Sequence, residues 1–73
     1  MQRPSSEDRY EITIAWSDAD EAFVARITEL PFAGAHGDTH EEALANARSA
    51  IRSYVEVARE LGKPVPEPVS HLV

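Results

Sequence analysis

The sequence predicts an α+β fold: a three-stranded antiparallel sheet covered on one face by a single long helix, with a short C-terminal extended strand after it. Three observations carry that expectation. Apolar residues alternate at every second position over two segments on either side of a dense turn. They then recur at steps of three and four along a stretch long enough for several helical turns. The change of period is marked by Gly37-Asp38-Thr39, a glycine followed by a helix-capping residue.

Residues 1–9 hold Pro4, two serines and several charges without periodicity, and read as a disordered leader ahead of one domain over 10–73. YEITIAW, residues 10–16, places Tyr10, Ile12, Ile14 and Trp16 on one face and Glu11, Thr13 and Ala15 on the other. Trp16 is expected in the core because three large residues share its parity. SDADE, residues 17–21, is rich in turn formers, and AFVARIT then sets Phe23, Ala25 and Ile27 against Val24, Arg26 and Thr28. A turn at Glu29-Leu30-Pro31 leads to FAGAHG, expected as an edge strand weakened by Gly34 and Gly37. Thr13, Ala15, Val24 and Ala33 are assigned to the sheet face away from the helix.

Thr39 and Glu42 form a T-x-x-E capping box, and the helix is expected to run from there toward Leu61. Its buried stripe is Leu44, Ala47, Ile51, Tyr54, Val55, Ala58 and Leu61, and its outer face is Glu41, Asn46, Arg48, Arg52, Glu56 and Arg59. Gly62 suits the position after the C-cap, and Pro64 prevents continuation. Beyond it only Val69 to Val73 is free of proline for a final strand, which could pair within its own subunit or with another.

Composition narrows the function classes. Thirteen acidic against seven basic residues give a net charge of −6, so a nucleic-acid strand meets repulsion instead of counterion release, and no direct nucleic-acid partner is expected. A basic protein is the better electrostatic match. The absence of cysteine removes disulfides, Cys-based zinc sites and thiol chemistry, and suits a reducing cytoplasm. No apolar run is long enough to span a membrane, and MQRPSSEDRY is not a signal peptide. A chain of 73 residues buries little surface alone, which makes a homo-oligomer, dimer or tetramer, the expected source of further stability.

Candidate chemistry reduces largely to architecture. A two-metal nuclease needs carboxylates converging from several elements around ions about 4 Å apart. Asp18 and Asp20 instead read as turn residues, and Asp38, Glu41 and Glu42 as a helix start. His36 and His40 stand four apart, but the cap at Thr39 sets a helix boundary between them, and His71 is remote in sequence. No Ser-His-Asp arrangement or phosphate-cradling glycine loop can be read. The expectation is a non-catalytic protein with no cofactor and no metal.

Four pieces in order resemble the N-terminal domain of the HicB-like antitoxins over residues 10–68: W-S-D after the first strand, E-L-P at Glu29 to Pro31, G-D-T-x-E-E-A-L-A-N from Gly37 to Asn46, and G-K-P-V-P-E-P at 62–68. The resemblance implies a β-β-β-α-β domain similar to a truncated ribonuclease H fold, dimeric or higher. It also implies a type II toxin–antitoxin partner, the small basic mRNA-cleaving toxin HicA. Full-length relatives add a helix-turn-helix or ribbon-helix-helix domain; five residues follow Pro68 here, so a stand-alone form without DNA binding is expected. Glu29, Asp38, Glu41 and Glu42 are the expected partner-binding patch. The alternative is a stand-alone oligomeric structural or regulatory protein with no toxin partner.

Overall fold

The computed structural model describes residues 9–65. The expected leader, apart from Arg9, and the expected strand at Val69–Val73 lie outside the described residues. Within them, β1 (Ile12–Ser17), β2 (Ala22–Ile27) and β3 (Leu30–Gly37) form an antiparallel meander in the order β1-β2-β3, and α1 (His40–Glu60) follows. The α+β class and the order of elements are those the sequence predicts.

The β1–β2 register pairs Ile12 with Ile27, Ile14 with Ala25 and Trp16 with Phe23, so the expected parities meet on one face. That face lies under α1: Ala25 and Ile27 are fully buried, and Ile12, Ile14 and Phe23 pack against the core. Strand pairing begins at Ile12 rather than Tyr10, yet the Tyr10 side chain is buried all the same. Trp16 departs from the expectation, being 52% exposed. It sits at the end of an outer strand, beside the turn, where its ring meets only the edge of the cluster.

The second turn is also shorter than expected. Only Thr28 and Glu29 separate β2 from β3, because Thr28 still pairs with Glu11: its N–H donates to the Glu11 carbonyl at 3.0 Å and its hydroxyl to Glu11 Oε1 at 2.6 Å. Leu30 therefore belongs to β3 and is fully buried. The β2–β3 register runs Phe23–Gly37 to Arg26–Gly34 and then jumps to Ile27–Leu30. Pro31, Phe32 and Ala33 occupy the irregularity, which an edge strand accommodates because Pro31 has no N–H to give a ladder. Ala33, assigned from the sequence to the far face, packs against the core.

Both ends of α1 are closed by local hydrogen bonds. The Thr39 hydroxyl accepts from the Glu42 N–H at 3.0 Å, and the Glu42 carboxylate accepts from the Asp38 N–H at 3.2 Å, which satisfies two donors the helix itself cannot. At the other end Gly62 adopts φ 68°, its N–H donates to Arg59 O at 3.2 Å and the Lys63 N–H donates to Ala58 O at 2.8 Å, a Schellman closure. The buried residues are Ala43, Ala47, Ile51, Val55 and Ala58. Leu44 and Leu61, expected in the stripe, are 38% and 63% exposed, and Tyr54 is only half-buried. Gly37 explains the start of this shift. A Cβ there would stand 2.4 Å from Ala43 N, so the first turn rests directly on β3 and it is Ala43, not Leu44, that meets the sheet.

Nine apolar residues are buried among those described, and four of them are alanines (Ala25, Ala43, Ala47 and Ala58). Alanine lets the helix approach the sheet closely but contributes far less apolar area than leucine or isoleucine. Ile27, Leu30 and Ile51 supply the largest fully buried side chains.

Candidate interaction surface

The meander brings the β1–β2 turn, the end of β3 and the start of α1 to one end of the sheet. The turn is tied internally: Ser17 Oγ donates to Asp20 Oδ2 at 3.0 Å and accepts from the Asp20 N–H at 3.3 Å. It also reaches across the sheet end, where Asp20 Oδ2 stands 3.8 Å from His36 Nε2. Asp18, Asp20, Glu21, Asp38, Glu41 and Glu42 are all exposed here. Between Tyr10 and Ala47 the chain holds no lysine and only one arginine, Arg26, which lies toward the other end of β2. The negative field at this end is therefore not neutralised locally.

An aromatic stack stands among these carboxylates. His40, the first residue of α1, packs on Phe23 at 4.2 Å between ring centroids, and Trp16 meets Phe23 edge-on at 5.2 Å. Trp16 Nε1 donates to Asp18 Oδ1 at 2.7 Å. The indole is thus held on one side by Phe23 and along one edge by Asp18, while half of its surface faces solvent. A large, rigid, partly apolar side chain held in this way loses little entropy on contact with a partner.

Of the residues singled out from the sequence, Asp38, Glu41 and Glu42 share this end. Glu29 does not: it lies in the β2–β3 turn at the opposite end, where its carboxylate accepts from the Glu11 N–H at 3.1 Å. Four further residues stand at this end: Asp18, Asp20 and Glu21, which local sequence marks only as turn formers although a meander returns the first turn to the side where the third strand ends, and Trp16, whose parity alone does not reveal its exposure.

His36 and His40 are held apart, one against Asp20 and the other on Phe23. Among the described residues no three His, Cys, Asp or Glu side chains are grouped so as to hold a metal ion. The uncovered face of the sheet forms an open concavity of about 620 Å³ that includes Thr13, Val24, Arg26, Thr28 and His36. No helix among the described residues is long and apolar enough to cross a membrane.

The arrangement defines a small acidic α+β module whose distinctive feature is a surface, an aromatic anchor ringed by carboxylates. The family model described as "HicB_like antitoxin of bacterial toxin-antitoxin system" matches residues 10–72, and the chain belongs to that family. No curated protein and no solved structure matches it.

Proposed function

We propose that this chain neutralises a small basic mRNA-cleaving toxin, HicA-like in kind, by covering the cationic surface with which that toxin grips RNA. The observation that carries the reading is the concentration of Asp18, Asp20, Glu21, Asp38, Glu41 and Glu42 at the end where Trp16 is exposed, with no lysine or arginine there among the described residues. Carboxylates at this end steer a basic partner into encounter, and the indole supplies the apolar contact that slows its departure. The mechanism is occlusion, not chemistry. The module works in the cytoplasm as a homo-oligomer, a reading supported by the small area that an alanine-rich core buries.

Glu21 and Glu41 are the informative positions for a test, because both are exposed and neither takes part in the turn and capping hydrogen bonds described above. The double variant Glu21→Lys/Glu41→Lys should lower the association rate with a purified HicA-like basic ribonuclease by about tenfold or more at low salt, and flatten its dependence on ionic strength. Stopped-flow mixing at several salt concentrations reads both quantities. An unchanged rate and slope would remove this end of the molecule from the mechanism.

A further inference from the structure

Helix geometry, at about 100° per residue, divides α1 into strips. Ala47, Ile51, Val55 and Ala58 face the sheet, and Glu41, Arg48, Arg52 and Arg59 line one flank. The other flank carries Asn46, Ala50, Tyr54, Val57 and Leu61, without a formal charge. Two contacts place this neutral flank over β3: Asn46 Nδ2 donates to His36 O at 2.8 Å, and the Tyr54 ring lies 5.3 Å from that of Phe32. β3 itself, LPFAGAHG, contains no Asp, Glu, Lys or Arg. The result is an uncharged strip along one side of an acidic molecule, on which Phe32 is 69% exposed, Leu61 63% and Val57 52%.

We infer that this strip seats a second copy of the chain. Charge selects the occupant. Two chains of net charge −6 repel wherever their carboxylates face each other, and this side brings fewer of them together than the acidic end does, with Glu56 and Glu60 at its border and none within it. A basic partner gains nothing electrostatically from a neutral surface and everything from the acidic end, so the two contacts use different sides and can coexist. The union is made by side chains rather than by continuing the sheet: Pro31 has no N–H to offer at the β3 edge, and the His36 carbonyl already accepts from Asn46. Phe32, Val57 and Leu61 supply the apolar area that the alanine-rich core lacks. The inference rests on the reading that the module self-associates and is independent of what it binds at its acidic end.

Sedimentation equilibrium of the full chain tests it. The wild type should sediment at twice its 8.1 kDa mass. Phe32→Glu, and separately the pair Val57→Gln/Leu61→Gln, should weaken dimerisation about 30-fold or more, the loss expected of central interface residues. Glu41→Lys, on the other flank, should leave it intact. Circular dichroism and a cooperative melt confirm that each variant folds, and the neutral pair decides the matter if Phe32→Glu does not. A monomeric wild type would overturn self-association itself, including the case in which the chain's own C-terminal segment covers the strip. A wild-type dimer whose Val57→Gln/Leu61→Gln variant remains fully dimeric would overturn only the choice of surface.

Discussion

Gly37 shows how much a single missing methyl group can decide. Its hypothetical Cβ would lie 2.4 Å from Ala43 N and 2.8 Å from the Glu42 carbonyl carbon, both backbone atoms that move only if the helix start moves. Gly37→Ala should therefore destabilise the domain by about 1–3 kcal/mol, the cost of forcing extra volume into a packed contact. Urea unfolding followed by circular dichroism would measure the loss. A change near zero would show that α1 can lift from β3 without penalty. On the proposed mechanism, the same displacement of Asp38, Glu41 and Glu42 should also weaken binding of a basic toxin. Trp16 is the complementary case, where alternation placed the residue on the face of Phe23 but could not reveal that half of its surface would face solvent.

At the scale of elements, α1 was the most legible part of the sequence because its ends carry local chemistry. Thr39 and Gly62 make the hydrogen bonds that the N-cap and Schellman patterns imply, while the Glu42 carboxylate reaches one residue further back, to the Asp38 N–H. Thr39→Ala should cost about 0.5–2 kcal/mol, since it leaves the Glu42 N–H without its acceptor. Thermal melts would read this as a modest loss with the transition still cooperative; a collapse of the fold would mean that the cap supports more than the first turn. β1 and β2 were legible for a similar reason, as period-2 alternation fixes which side chains share a face. β3 was harder to read. Its bulge at Pro31, Phe32 and Ala33 breaks the alternation, so the start of the strand and the side on which Ala33 falls depend on long-range pairing with β2. The exact rotation of α1 was hidden too, because it follows from the contact between Gly37 and Ala43 and not from the helix's own apolar pattern.

For the molecule as a whole, the meander explains how residues distant in sequence form one acidic end. Antiparallel strands return the first turn to the level of the helix start, and the His36–Asp20 approach at 3.8 Å marks where the two segments meet. That joining is not visible in any local window, which is why Glu29 was grouped with the helix start although the sheet separates them. The structure thus has two sides of different character: an acidic end, which we propose meets a basic partner, and an uncharged flank, which we propose seats a copy of the chain. The most direct test of the central claim is an RNA-protection assay, in which the full chain is titrated into a purified HicA-like basic ribonuclease and mRNA cleavage is followed. The account predicts that cleavage stops at a fixed molar ratio, that the Glu21→Lys/Glu41→Lys variant protects poorly, and that the chain alone leaves RNA intact with or without Mg²⁺. Undiminished cleavage at saturating concentrations of the chain, or metal-dependent cleavage by the chain itself, would contradict it.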